Sequence, residues 1–312
     1  MTSPNLLKAN LVLSSIIILF IFSSFLKGDI GNGIANVFNR GADTLTQVVH
    51  SVDLKKDYIL AGEYIPTHIQ EVRERLDREV ISNSYRHSRT LLNMKRAAKL
   101  FPIIEPILAE EGLPSDIKYL AVAESDLLNA TSSAGAKGLW QFMKGTAIEY
   151  GMEVNSSIDE RYNLEKATRA ACKYLKSKKA KLGTWAYAMA AYNAGTTGVS
   201  NAIKQQKAQS YFDLNMSEET TRYYFRIAAF KELMENPTKY GFHLQPENLY
   251  PPMTDFTTVE VTSTIESLGD FANKYGISYR QLKVYNPWMR SHKLPNSSGR
   301  TYQIKIPNNR IR

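Results

Sequence analysis

From Pro66 onward the chain is written in helical periods. "PTHIQEVRERLDREV" sets Val72, Leu76 and Val80 four residues apart, a spacing that puts apolar side chains on one face of a helix. "SRTLLNMKRAAKLFPIIEPILAEEGLP" continues in that style, and Pro102, Pro106 and Pro114 read as turns or first-turn positions, where a missing N–H costs little. Helical periodicity persists as far as "YYFRIAAFKELMENPTKYGF", where Asn236-Pro237 stops it. After the Pro-rich stretch "QPENLYPPMTDF" the period changes to two. "TTVEVTS" and "RTYQIKIP" alternate as strands, with "SLGDFANKYG" and "SYRQLKVYNP" as short helices between them. The predicted architecture is mainly α: a helical domain over 66–244, a linker over 245–257 and a small βααβ unit over 258–307.

Ahead of these elements, "LVLSSIIILFIFSSFL" (11–26) carries no charge and follows Lys8. At about 1.5 Å per residue it is marginal for a bilayer core of roughly 30 Å, although Leu6 and Leu7 can extend it. It fits a signal-peptide h-region or an uncleaved anchor. No small-x-small cleavage site follows, and no cysteine lies nearby to take a lipid. The expectation is export with a retained anchor, with residues 1–10 as an n-region or cytoplasmic end. The Gly- and Asn-rich "KGDIGNGIANVFNRGADT" then begins a flexible tether over 27–65.

The composition of the 312 residues is globular, with 43% hydrophobic and 22% charged residues, so a substantial core is expected. The net charge of +9 suits an acidic polymer, anionic lipid or nucleic acid. Nucleic acid is disfavoured, because the sequence has no zinc-finger spacing, basic heptads or RNP-type motif. The densest basic cluster, "KYLKSKKAKL", reads as the solvated face of a helix. The single cysteine, Cys172, excludes a disulfide framework, and the five scattered histidines have no metal-ligand spacing. Catalysis is expected to be metal-free and without a cofactor.

One carboxylate stands out. In "LPSDIKYLAVAES", Ser115 or Asp116 can cap a helix, and Ile117, Leu120, Ala121 and Glu124 follow at i, i+3, i+4 and i+7. Glu124 therefore falls on the buried stripe. A desolvated carboxyl has a raised pKa and can act as a general acid near neutral pH. A Glu paired with Arg or Lys near a helix end fits the same spacing. Downstream, "SSAGAKGLWQFM" is a tight Gly-Ala loop that returns Trp140 and Gln141 towards the helix. "TWAYAMAAYNAG" is a helix ended by Gly195, with Tyr192 and Asn193 in its last turn. Taken singly, core packing explains Tyr192 and a helix-end hydrogen bond explains Asn193.

Together, "ES" at 124–125, "AGAKGLWQFM" at 134–143 and "AYNAG" at 191–195 have the order and spacing of the soluble lytic transglycosylase domain. The region from about Pro66 to Phe242 most resembles the membrane-bound lytic murein transglycosylase D family, supported by "GLPSDIKYLAVAES", "IDERYN" and "ETTRYYFRIAAFKELMENPTKYGF". The resemblance implies a goose-lysozyme-like helical fold that cleaves peptidoglycan glycan strands between N-acetylmuramic acid and N-acetylglucosamine. Glu124 matches the catalytic acid. Gln141, Tyr192 and Asn193 match positions of the sugar-binding cleft, Ser125 and Ser132 polar positions beside it, and Tyr223 a cleft-lining tyrosine. "IDER" reads as a structural helix start and ion-pair element, so Asp159 and Glu160 are not candidates for chemistry. Lys144 and Phe225 stand where many relatives have proline, which leaves local backbone geometry open.

No second acid occupies a matching motif position. The resemblance implies that Glu124 acts alone, as acid and then as base, while the substrate's C6 hydroxyl closes a 1,6-anhydro ring. A lysozyme-type hydrolase on the same fold, or a non-catalytic wall-binding scaffold, are the alternatives. Residues 258–307 resemble a divergent LysM domain through "SL..FA.KYGIS...LK..NP" and the closing "Y.I.IP". That implies either binding of the same polymer or a packing module for the catalytic domain.

Overall fold

The computed structural model describes residues 51–308 apart from 53 and 55. The apolar stretch at 11–26 and most of the expected tether lie outside the described residues. No helix among those described is long and apolar enough to cross a membrane. The helical body begins with a hairpin, β1 (Tyr58–Leu60) antiparallel to β2 (Glu63–Ile65). Leu60 and Ile65 are fully buried, so these last residues of the expected tether are core rather than spacer. Asp116 ties the hairpin down, accepting from the Ala61 N–H at 2.8 Å and from Lys231 Nζ at 2.8 Å.

Helices α1 (Gln70–Ser84), α2 (His87–Glu110), α3 (Lys118–Ser125), α4 (Lys144–Glu149), α5 (Leu164–Leu182), α6 (Trp185–Ala194), α7 (Thr196–Gln206) and α8 (Glu218–Glu235) follow. On α1 the stripe Val72, Leu76 and Val80 is buried as its spacing requires, and α1 packs on α8. Pro102 and Pro106, expected at turns, instead lie inside α2. Two internal prolines cost about 3 kcal/mol each. Burial of Ile103, Ile104, Ile107 and Leu108, at about 1.5–3 kcal/mol each, offsets that loss and keeps the helix whole. At the two positions where the resemblance leads one to expect proline, Lys144 opens α4 and Phe225 sits fully buried in an uninterrupted α8.

The catalytic candidate sits on α3, at the centre of the body between α2 and α8. Neither Ser115 nor Asp116 caps it. A 3-10 turn, Ser115–Ile117, leads into the helix, and the Asp116 carboxylate is taken by the hairpin and Lys231. The far end is abrupt. Asp126 and Leu127 both adopt left-handed backbone, φ 55° and 58°, which is costly for residues with a side chain. Arg89 Nε (2.7 Å) and Asn93 Nδ2 (2.9 Å) donate to the Asp126 carboxylate and hold the break in place. Stopping the helix there leaves Glu124 in its last turn, half-buried.

The C-terminal unit has the expected βααβ order: β3 (Phe256–Val261), α9 (Leu268–Lys274), α10 (Tyr279–Tyr285) and β4 (Tyr302–Pro307). The strands pair antiparallel, from Phe256 opposite Pro307 to Val261 opposite Tyr302. Ser267 and Ser278 cap the two helices, each accepting at 3.1 Å from the N–H three residues on. The core of this unit contains Leu268, Leu282, Trp288, Met289 and Ile304, and also Ile158 and Tyr162 of the helical body. This second core thus also takes in two residues that precede the expected linker.

Candidate active site

Glu124 and Tyr223 meet between α3 and α8. The Tyr223 hydroxyl donates to Glu124 Oε1, while Oε2 has no hydrogen-bond partner among the described residues. Glu124 keeps some contact with solvent, yet protein atoms crowd its carboxyl. That desolvation pushes its pKa up to about 7. The Tyr223 hydrogen bond and the charge of Arg226 act in the opposite direction, and the charge of Glu219 adds to the rise. Tyr223 is itself buried, and desolvation with the neighbouring Glu124 charge holds its hydroxyl well above the ordinary tyrosine range. It stays protonated and remains a donor.

Of the other expected site residues, Tyr192 lies close enough to feel the Glu124 charge, and each is held by partners of its own. Tyr192, at the end of α6, donates to the Trp140 carbonyl at 2.6 Å and packs edge-on against Phe142 and Tyr174. Its hydroxyl is raised by burial and then by the nearby Glu124 charge. Asn193 Oδ1 accepts from Thr220 Oγ1 at 2.9 Å, and its Nδ2 makes no hydrogen bond among the described residues. Gln141 adopts left-handed backbone, φ 49°, and donates from Nε2 to Gly138 O (2.7 Å) and Ala130 O (3.2 Å). Its amide nitrogen is thus spent within the loop. Ser125 is buried and donates to Leu139 O at 2.8 Å, tying the end of α3 to the loop. Ser132 Oγ accepts from Ala136 N at 3.0 Å within the loop's own turn.

The Gly-Ala loop is held from below by "IDER". Asp159 and Arg161 form a buried pair through two bonds of 2.8 and 2.7 Å. Arg161 Nη1 reaches on to the carbonyls of Gly135 (3.3 Å) and Phe142 (3.2 Å). Gly138 lies so close that a Cβ there would be 1.9 Å from the Arg161 carbonyl oxygen. Asp159 and Glu160 (bonded to Lys166 and, at 2.8 Å, to the Glu153 N–H) thus hold structure.

Two charged neighbours of Glu124 escaped the sequence reading. Glu219 and Arg226 flank Tyr223 at i−4 and i+3 on α8, so all three share one helix face. Arg226 Nε also leans on the buried Glu79 carboxylate at 3.4 Å, which Arg222 holds from the other side. The helical offset from Tyr223 was the available signal. Among the described residues no group of three His, Cys, Asp or Glu side chains is placed to hold a metal ion.

In the helical body a half-buried acid, Glu124, is thus bonded to a buried tyrosine, Tyr223, with Tyr192 close by. Residues 101–215 match the family model of the transglycosylase SLT domain, and residues 257–310 that of the soluble lytic transglycosylase C-terminal LysM-like domain. The chain is similar to the membrane-bound lytic murein transglycosylase D of two Escherichia coli strains, 28% identical over 281 residues, or 86% of this chain and 58% of each relative. It therefore spans a little over half the length of those curated relatives. A solved structure of an inactive mutant of lytic transglycosylase Slt from Pseudomonas aeruginosa aligns over 49% of this chain and 26% of its own, at 20% identity and a TM-score of 0.38.

Proposed function

We propose that the protein is a peptidoglycan lytic transglycosylase that cleaves the β-1,4 bond between N-acetylmuramic acid and N-acetylglucosamine. The observation that carries this reading is the state of Glu124. Its pKa of about 7 leaves it about half protonated at neutral pH and largely protonated below, with one oxygen held by Tyr223 and the other without a hydrogen-bond partner among the described residues. The domain match and the names of the curated relatives supply the substrate class.

In the reaction, Glu124 Oε2 gives its proton to the glycosidic oxygen as the bond from C1 to that oxygen breaks. The substrate's own N-acetyl oxygen stabilises the positive charge developing at C1. Tyr223 stabilises the carboxylate left behind, because a hydrogen bond to an ionised acceptor is stronger than one to a neutral acceptor. The ionised Glu124 then takes the proton of the C6 hydroxyl as that oxygen bonds to C1. The anhydro ring closes, and the acid is regenerated. Intramolecular attack brings a high effective concentration and needs no positioned water. Asn193, bonded through Oδ1 to Thr220, has no hydrogen bond at Nδ2 among the described residues, and that donor suits the acetamido carbonyl. Tyr192 serves by fixing the loop at Trp140.

A hydrolytic outcome has one observation in its favour. Glu219 is an exposed acid whose charge is felt at Glu124, and a base near the acid is what activation of water requires. Product mass separates the two. Incubated with purified peptidoglycan, the chain is expected to release muropeptides one water lighter than reducing-end products, and Glu124→Gln is expected to release none. Reducing-end products would establish hydrolysis, and binding without products would make this a scaffold.

The place of action follows the same proposal. The apolar stretch at 11–26 would carry the protein out of the cytoplasm and hold it at the membrane, with the catalytic body in the cell envelope. The LysM-like unit would add contacts to the same polymer.

A further inference from the structure

The Gly-Ala loop, joined to the end of α3 by the Ser125 bond to Leu139 O, is held both from within and from outside. Within it, Ser132 N donates to Ala136 O at 2.9 Å and Lys137 and Phe142 exchange bonds at 3.1 Å, while Ser133, Ala134 and Gly135 are exposed. The bonds from outside set where this internally bonded segment sits. Two of its fastenings come from one short turn, Glu160–Tyr162: the Arg161 guanidinium on the Gly135 and Phe142 carbonyls, and the Tyr162 hydroxyl on Thr131 Oγ1 at 3.1 Å.

The other side of that turn is built by the C-terminal unit. Asp159 N donates to Trp288 O at 2.9 Å, and Arg290 N donates to Ser157 O at 2.8 Å, forming a bridge of Ile158 with Met289. Ile158 and Tyr162 are buried in the C-terminal core, and the Arg290 guanidinium lies 4.4 Å from the centre of the Tyr162 ring. Trp288 stacks on Tyr302, whose hydroxyl reaches Glu153 at 3.0 Å, as does Arg300.

We propose that the C-terminal unit is a working part of the active site, in which Arg290 is a positioning residue that sets the Gly-Ala loop through Tyr162 and Thr131. The path is short and each step is a contact: Arg290 on the Tyr162 ring, the Tyr162 hydroxyl on Thr131, and the loop from Thr131 to Trp140. The Trp140 carbonyl then receives the Tyr192 hydroxyl at 2.6 Å. A cation over an aromatic face restrains the ring, and an aligned ring keeps its hydroxyl on target. The role differs from glycan binding because it acts on the rate at Glu124 and not on attachment to the polymer.

The test compares Arg290→Ala, Arg290→Lys and Tyr162→Phe in the full chain. Tyr162→Phe keeps the ring under Arg290 and removes only the bond to Thr131. Backbone amide exchange is followed over residues 131–142, with kcat and KM on a short soluble peptidoglycan fragment and retention on the insoluble polymer. Arg290→Ala is expected to speed loop exchange and lower kcat, each about three- to tenfold, with KM and retention unchanged. Arg290→Lys is expected to restore most of both. Tyr162→Phe is expected to behave like Arg290→Ala, and the double variant to add little.

Unchanged exchange and unchanged kcat in both single variants would overturn the proposal. So would lost retention with kcat intact, which would make Arg290 part of a glycan-binding surface. The kinetic readout rests on the proposed reaction. A wild type that makes no anhydro product would defeat that reading, while the exchange comparison still decides this one.

Discussion

Tyr223 on α8 donates its hydroxyl to Oε1 of Glu124 on α3, joining residues 99 positions apart at the centre of the helical body. The bond favours the ionised carboxylate, so it works against the burial that raises the Glu124 pKa to about 7. The balance suits a group that must give a proton and take one back in a single turnover.

That balance predicts opposite shifts from two substitutions. Tyr223→Phe removes a contribution that lowers the Glu124 pKa, so the high-pH fall of kcat should move to higher pH, with a loss of roughly tenfold or more in rate. Glu219→Gln removes a like charge that raises the pKa, so the same fall should move to lower pH. Both are read from the pH profile of kcat. Shifts in the same direction would contradict the assignment.

Stability should depend on pH through Glu124 with a definite sign. Below the ordinary pKa near 4.5 the folded and unfolded chains are both protonated there, and nothing is lost. As pH rises, the unfolded chain ionises first, and the fold is weakened until the folded group ionises near 7. Glu124→Gln should therefore stabilise the protein by up to about 3 kcal/mol at pH 8 and leave it nearly unchanged at pH 4. Urea unfolding at the two pH values measures the difference.

Gly138 and Gly135 make a matched pair. Both have left-handed backbone, φ 81° and 85°, but only at Gly138 would a Cβ run into backbone, the Arg161 carbonyl at 1.9 Å. Gly135→Ala should cost about 1 kcal/mol from its backbone conformation alone. Gly138→Ala should cost about 3 kcal/mol or more, because the loop or the turn beneath it must move. Thermal unfolding of the two variants provides the comparison.

The Asp159–Arg161 pair carries a third stability prediction. Both side chains are about 95% buried, and Asp159→Ala would leave the Arg161 guanidinium without its carboxylate. The expected cost is about 3–5 kcal/mol, with activity lost as the loop is released. Asp159→Asn, which keeps one acceptor for Arg161, should cost less.

Much of this was readable in the chain. The four-residue spacing on α1, the βααβ order at the C-terminus, Gly195 closing α6 and Glu124 in an apolar helix all follow from local pattern. What was missed depends on tertiary contact. Pro102 and Pro106 look like helix breakers until the apolar stripe around them is seen to be buried. The strands Tyr58–Leu60 and Glu63–Ile65 are too short to show alternation. Asp116 is a plausible cap by sequence but bonds to the hairpin and Lys231 instead. Glu219 and Arg226 were not singled out, since nothing local says which face of α8 meets Glu124. The resemblance alone assigns Gln141 and Tyr192 to the sugar cleft, and no local pattern shows that the Gln141 amide and the Tyr192 hydroxyl are donated to loop carbonyls.

The central claim is that burial keeps Glu124 protonated until a glycosidic oxygen is in place. The most direct measurement is the titration of its side-chain carboxyl carbon by NMR, in the chain labelled at glutamate and assigned by loss of the signal in Glu124→Gln. A midpoint near 7 is the predicted result. A midpoint near 4.5, the ordinary value for a solvated glutamate, would contradict the account.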